Sequence, residues 1–252
     1  MQAILDHLSA VVVGTILLVA LLTLQIREKL DATDQALQYQ LRSRAETLLD
    51  TFGRDIDNMM TQEEAIAAGV SPSTCKVHYA GGRLRAFWFP SYVERVKVVG
   101  TNVDGGPQYE SFYEPMSVRY NVNWTPRTIT AGDSTRSVYR LVRREYRAGV
   151  GGNIAATAAA EVEIGTIIES NSIRLSEPVT DFNVQLFGAA GRLSSRGVES
   201  GFAPSDVAYL RLSAELAHDA LANLATDQQS QRLVNLARVS QTFRPPDLVY
   251  SN

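Results

Sequence analysis

Few side chains in this sequence stand at the spacing that a catalytic or metal site requires. Cys75 and His78 are separated by two residues, as zinc ligands often are, but zinc needs three or four ligands and no second such pair exists. His218 and Asp219 are neighbours without a nucleophile motif beside them. Gly149–Gly152 lacks the Lys-Ser/Thr of a phosphate-binding loop. We therefore expect no catalytic residue, no cofactor and no metal, and a protein that is not an enzyme.

Two acidic groups have a possible chemical role and a simpler structural one. Glu161 and Glu163 would share one face of a strand, where they could serve acid chemistry or bind calcium, or mark a solvated edge. Asp104 precedes two glycines and signals a turn first. The net charge of −3 and the lack of a basic-aromatic stripe argue against a nucleic-acid partner. Cys75 is the single cysteine, which excludes an intrachain disulfide.

The N-terminal part of the chain has the composition of a membrane anchor. Leu8 to Ile26 is a run of 19 residues without a charge. At about 1.5 Å per residue such a helix is roughly 28 Å long, enough to cross the hydrocarbon core once. The run is long for a cleaved signal, and neither a basic segment before it nor a small-residue cleavage site after it is evident. We expect a single-pass anchor over residues 1–26 in contact with the lipid bilayer.

An amphipathic stalk helix is predicted to continue from the anchor over residues 27–68. Its apolar residues recur at alternating steps of four and seven, close to a heptad seam. They are Ile26, Leu30, Leu37, Leu41, Leu48, Phe52 and Met59. This stripe packs either on the head of the same chain alone or, in its upper part, also on helices of other subunits.

The rest of the chain, residues 69–252, is predicted to be one β-rich head, because it is rich in Tyr, Val, Thr and Gly. Predicted strands are 76–79, 83–89, 93–99, 117–124, 137–147, 182–186 and 237–243, with a loop over 125–135. Residues 207–216 alternate like a strand but have a composition that also permits helix, and 221–236 is helix or polar insertion. The fold class is α+β: a long N-terminal helix followed by a mostly antiparallel sheet.

This order of elements resembles the type IV pilin and pseudopilin superfamily, with its lollipop shape, and short motifs resemble its minor, J-type pseudopilins. The stretch 52–57, with Arg54-Asp55-Ile56, is similar to the end of the stalk helix there. The strand 117–124 followed by Leu141-Val142-Arg143 is similar to a strand pair ending in Leu-x-Arg. Asp181-Phe182 and the Pro204 to Val207 segment are similar to two later strand entries.

The resemblance implies a role for the N-terminal helix in assembly. Asp6 stands where family members carry the acidic residue that meets a neighbour's N-terminal amine. The simpler interpretation is that Asp6 and His7 lie at the level of the lipid headgroups. With Asp6, the residues expected to serve assembly are the apolar stalk positions Leu30, Leu37 and Leu41. The implied partners are other pilin-like subunits.

Two features of the chain bear on which side of the membrane the head lies. Arg27, Lys29, Arg42 and Arg44 follow the anchor and none precedes it, so charge alone favours a cytoplasmic head. The resemblance implies the opposite: an inner-membrane protein with a periplasmic or extracellular head. We follow the resemblance, because it rests on many features in order.

The function expected from these patterns is that of a minor pilin-like subunit of a type IV filament or a type II secretion pseudopilus. The alternative is a non-polymerising, membrane-anchored accessory or binding subunit of an envelope complex, which an uncleaved N-terminus at Met1 would favour. A third hypothesis is a membrane-tethered binding module or hydrolase that uses the loops of the head.

Overall fold

The computed structural model describes residues 2–101, 105–131, 134–148, 154–155, 175–193, 200–217 and 236–246. Within these ranges, one long helix leads into a large antiparallel sheet, so the α+β class is confirmed. The side chains of residues 2–10 lie outside the description. The predicted helix or insertion over 221–236 also falls outside it, except for its last residue.

Helix α1, Gln2–Asp57, is continuous from the apolar run into the stalk. One segment of it is long and apolar enough to cross a membrane, and none of that segment is buried by the rest of the chain. Two threonines inside it are satisfied locally, because Thr15 Oγ1 donates to the carbonyl of Val11 and Thr23 Oγ1 to that of Val19, each at 2.7 Å. The composition and length are those of a single-pass anchor.

The predicted stalk, 27–68, is divided into two helices, because α1 ends at Asp57 and α2 covers Gln62–Ala67. Ser91 Oγ lies 3.0 Å from the carbonyl oxygen of Asp55 and 3.1 Å from that of Asn58, so its single O–H donor is shared by carbonyls at the end of α1. Thr61 then begins α2 with a capping box, in which its hydroxyl accepts from the N–H of Glu64. This second helix start was not predicted.

The sheet has ten strands in the described residues, all paired antiparallel, in the order β10-β9-β6-β4-β3-β2-β1-β8, with β5 beside β4 and β7 beside β6. The strands are β1 Cys75–Ala80, β2 Arg83–Thr101, β3 Pro107–Ala131, β4 Ser134–Ala148, β5 Ile154–Ala155, β6 Leu175–Gly188, β7 Gly191–Arg192, β8 Ser200–Phe202, β9 Tyr209–Leu216 and β10 Ala237–Phe243.

Most predicted strands are present, and the differences arise at prolines and turns. The predicted loop 125–135 is wrong, because β3 continues to Ala131 and β4 begins at Ser134, with a register shift between Trp124 and Thr128. The predicted strands 83–89 and 93–99 are one strand, β2, with Pro90 inside it. Pro90 is tolerated because β1 pairs with β2 only as far as Trp88, and beyond that point the segment after α1 uses the Pro90 carbonyl, which accepts from the N–H of Met60 at 3.1 Å, and needs no N–H from the proline. For 207–216 the strand interpretation is the correct one.

The sheet curls around the second half of α1. Tyr79 on β1 donates its hydroxyl to the carbonyl of Val184 on β6 at 3.1 Å, although three strands separate β1 from β6 in the sheet. Phe52 of α1 is fully buried inside this curl, with its ring 5.2 Å from those of both Tyr120 and Phe243. A Cβ on Gly53 would come within 3.1 Å of the Phe243 ring, so the glycine permits the close approach of α1 to β10.

Phe52→Ala tests whether the curl around α1 is the core of the head. We expect a loss of about 3–5 kcal/mol in the free energy of unfolding, because a buried aromatic ring is removed from a site that collapses only partly. The measurement is chemical denaturation of the full chain in detergent, followed by near-UV circular dichroism. Tyr39→Ala is the matched control on the same helix, since Tyr39 is 76% exposed. Equal effects of the two substitutions would contradict the assignment.

Candidate functional site

The residues that the sequence points to for assembly lie on α1 and differ in burial. Leu30 is exposed, Leu37 is half-buried and Leu41 is buried in the core of the head. Asp6 belongs to the same helix, but its side chain is outside the described residues. From Leu41 onward the stripe is therefore covered by the chain's own sheet. On the membrane side of Leu37, Ile26 and Leu30 remain exposed.

The residues with metal-ligand spacing do not converge. Cys75 is buried, with its Sγ 3.8 Å from the sulfur of Met59, and burial raises the pKa of its thiol to about 12. His78 is half-exposed, three positions along β1 from Cys75. In the described part of the chain, no three His, Cys, Asp or Glu side chains are grouped so as to hold a metal. The candidates Asp104, Gly149–Gly152, Glu161, Glu163, His218 and Asp219 lie outside the described residues.

A buried ion pair joins α1 to the middle of the sheet. The carboxylate of Asp55, near the end of α1, accepts from Nε and Nη2 of Arg143 on β4, both at 2.6 Å. The hydroxyl of Tyr120 on β3 donates to the same carboxylate at 2.6 Å. Burial alone would lower the pKa of Arg143, but the hydrogen bonds to Asp55 and the nearby negative charges, first that of Asp55, together outweigh burial, so the pKa is raised. Burial and the Asp55 charge also hold the pKa of Tyr120 well above its usual value.

The ionic network extends from Arg143 along the sheet. Its Nη1 donates to Glu145, whose other oxygen lies 3.0 Å from Nη2 of Arg95 on β2. Nε of Arg95 lies 3.5 Å from Glu114, which also pairs with Arg147. Charges of opposite sign alternate along this path, so each buried charge has at least one opposite partner.

A second polar site is an open groove of about 660 Å³ that crosses four strands of the sheet and the start of β2. Its basic lining residues are Arg83, Arg136 and Arg238, and its acidic ones are Asp181 and Glu215. We call this the arginine groove. Its walls also carry hydroxyl groups, contributed by Thr135, Ser137, Thr180, Ser213 and Ser240. The three arginines outnumber the two carboxylates, so the lining has an excess of one positive charge.

Glu215 organises the floor of the arginine groove. It is buried and accepts from Arg136 Nη1, Arg238 Nε and the hydroxyl of Thr180. Thr180 can reach it because the register of β6 against β9 shifts between Val179 and Asp181. Burial would raise the pKa of Glu215, but these hydrogen bonds and the charge of Arg136 outweigh it, so the pKa is lowered. Bonding to Glu215 likewise raises the pKa of Arg238.

Sequence reasoning identified neither the arginine groove nor the role of Arg143 as a buried partner. Arg136, Glu215 and Arg238 lie on three different strands, and each reads as an ordinary outward-facing charge in its own strand. The available signal was the alternation in 207–216, which places Glu215 opposite the apolar face.

Comparison of the chain with protein-family models, with curated proteins and with solved structures gave no match.

Removing Arg143 is expected to cost more stability than removing Asp55. Arg143→Met leaves the buried carboxylates of both Asp55 and Glu145 without it, whereas Asp55→Leu leaves Arg143 paired with Glu145. We expect Arg143→Met to lower the free energy of unfolding by about 3–5 kcal/mol, and Asp55→Leu or the double variant to lower it by less. The measurement is denaturant unfolding of the full chain in detergent.

The control for this comparison is Lys97→Met, which breaks an exposed pair with Glu110 and should cost about 0–1 kcal/mol. A double variant less stable than Arg143→Met would contradict the coupling of the two charges.

Glu215→Gln tests the lowered pKa in the arginine groove. A carboxylate whose folded pKa lies below its unfolded value of about 4.3 contributes stability above that pH and loses it as the pH falls through the folded pKa. The wild-type chain should therefore exceed the variant in Tm at neutral pH, with the difference shrinking below about pH 4. Glu110→Gln, at an exposed pair, should show little difference at any pH. A difference that grows on acidification would contradict the sign.

Proposed function

We propose that this protein is a minor pilin-like subunit of a type IV filament or a type II secretion pseudopilus, assembling through its N-terminal helix. The carrying observation is that α1 has two unlike halves on one continuous helix. Its membrane-side half is apolar and unburied, and its other half is held inside the chain's own sheet. A helix of this kind leaves one long apolar surface for lipid and for neighbouring helices.

The buried ion pair also supports the proposal. Asp55 belongs to the Arg-Asp-Ile stretch and Arg143 to the Leu-x-Arg element, the two motifs on which the resemblance partly rests. The two side chains are in direct contact, bonded through two nitrogens of the arginine. Two short motifs separated by 88 positions therefore contact each other directly, and this contact fixes the stalk helix to the sheet.

In this proposal the protein is not an enzyme, and the chain crosses the inner membrane once with its head on the periplasmic or extracellular side. Leu30 and the half-buried Leu37 are the stalk residues closest to neighbouring helices, with Asp6 in the membrane segment. Leu41 contributes by fixing the head on the stalk, since its side chain is buried there. Partners are other pilin-like subunits and the lipid bilayer.

A non-polymerising, membrane-anchored accessory or binding subunit is the second candidate function. The observation in its favour is the arginine groove, which is open and lined by charged and hydroxyl side chains that a filament core does not need. Both functions place the protein at a membrane, and they differ in whether α1 contacts other pilin-like helices.

Cysteine cross-linking separates the two functions. Leu30→Cys places a thiol on the exposed apolar stripe, and the native Cys75 is buried and does not compete. In native membranes we expect a reagent with a maleimide at one end and a short photoreactive arm at the other to join Leu30→Cys to pilin-like chains identified by mass spectrometry, with no cysteine required of the partner.

Ala32→Cys is the matched control, since two residues of helix turn the side chain by about 200° to the far side of α1. Equal cross-linking at both positions, or none to pilin-like chains at Leu30→Cys, would contradict the assembly role.

A further inference from the structure

The two edges of the sheet are unlike. At one edge β8 has three residues, a length that natural proteins use to avoid pairing with other chains. At the other edge β10, Ala237–Phe243, has seven residues and pairs in continuous register with β9. Within the described residues no strand pairs with its outer side. β10 contains no proline, no lysine and no bulge, the usual devices that protect an edge.

Two grooves meet at β10. One is the arginine groove. The other, of about 360 Å³, lies between α1 and the start of β10, and we call it the stalk groove. On α1 it is lined by Leu41, Ala45 and Leu49 together with Gln38, Arg42 and Glu46, and of the three apolar residues Leu49 is the one that is partly exposed. Arg238 and Val239 line both grooves, so β10 forms the ridge between them.

This arrangement matches the side-chain pattern of an added strand. Successive side chains of a strand point to opposite faces of a sheet, so a segment paired with β10 would send alternate side chains to the two grooves. On one face they would meet Arg238, and on the other Leu49 and Val239.

The arginine groove favours acidic side chains on its face. A guanidinium group has five N–H donors, and Glu215 engages one nitrogen each of Arg136 and Arg238. Arg238 is 71% exposed in its side chain and retains donors for a second carboxylate. Charge-assisted hydrogen bonds of this kind are short and strong.

We propose that the β10 edge binds an extended segment of a partner protein by strand addition, with acidic and apolar side chains alternating along that segment. Backbone hydrogen bonds to β10 hold the segment, the carboxylates bind in the arginine groove, and the apolar side chains pack in the stalk groove. The inference deepens the proposed function and rests on it for the partner, another envelope subunit, but not for the binding itself.

Peptide binding to the full chain in lipid nanodiscs tests this proposal. The probe is a fluorescent peptide as long as β10 in which glutamate alternates with valine, followed by anisotropy. One comparison peptide has lysine in place of glutamate, and another has N-methylated backbone amides on one edge. We expect each comparison peptide to bind about tenfold more weakly or worse, because one loses the charge pairing and the other the backbone hydrogen bonds.

Variants of the chain test the two grooves separately. Arg238→Gln should weaken binding of the glutamate peptide about tenfold, and it should reduce the difference in affinity between the glutamate and lysine peptides. Val239→Asp should also weaken binding of the glutamate peptide, because it places a charge in the stalk groove where the apolar side chains of the peptide would pack. Arg192→Glu, on the exposed strand β7, is the matched control and should leave binding unchanged. Near-UV circular dichroism verifies that each variant is folded, and the peptide comparisons on the unaltered chain do not depend on any variant folding.

Equal binding of the glutamate peptide and its N-methylated form would overturn strand addition, and equal binding of the lysine peptide would overturn the acidic preference. If no peptide binds and the wild-type chain sediments as a dimer that Arg238→Gln converts to a monomer, the edge pairs two copies of this chain and the proposal is overturned. Absence of peptide binding with intact cross-linking at Leu30→Cys overturns this inference alone. Peptide binding without that cross-linking removes the pilin-like role and leaves the edge site.

Discussion

The contact between Asp55 and Arg143 is the constraint on which the rest of the structure depends. It joins the last full turn of α1 to β4, and the hydroxyl of Tyr120 joins β3 to the same carboxylate. Such a buried pair adds little net stability, because desolvation offsets the attraction. It makes misplacement costly, since a helix shifted by one turn would take Asp55 away from both Arg143 and Tyr120 and leave its carboxylate buried without these partners. We infer that the pair fixes how far α1 enters the sheet.

That fixed position has consequences at both ends of the molecule. Because α1 is continuous, the depth at which the sheet holds Phe52 also sets the distance of the head from the apolar segment. The same placement brings α1 against β10, where Gly53 allows the ring of Phe243 to approach. The stalk groove is the space left beside this contact, so the candidate docking edge is a product of the helix position.

Periodicity made several elements predictable. The stripe from Leu41 to Phe52 indicates one buried helix face, and it is buried in the structure. Alternation in 207–216 indicates β9, whose apolar residues face the core. The prediction was wrong where proline dominated the local signal: Pro90 and Pro126 lie inside strands. Each is tolerated for a tertiary reason, the end of the β1 ladder before Pro90 and a register shift at Pro126, neither of which is visible in a window of sequence.

The sequence by itself determined the apolar segment, the amphipathic stalk and the antiparallel character of the head, because hydrophobic periodicity is a local property of the chain. Only the tertiary structure decided which charges meet. Arg143 and Asp55 are 88 positions apart, and Arg136, Glu215 and Arg238 come from three strands, so their pairing depends on sheet order and curl. Strand order is fixed by long-range packing, and the same outward-facing arginine reads identically in sequence whether it ends in water or in a groove.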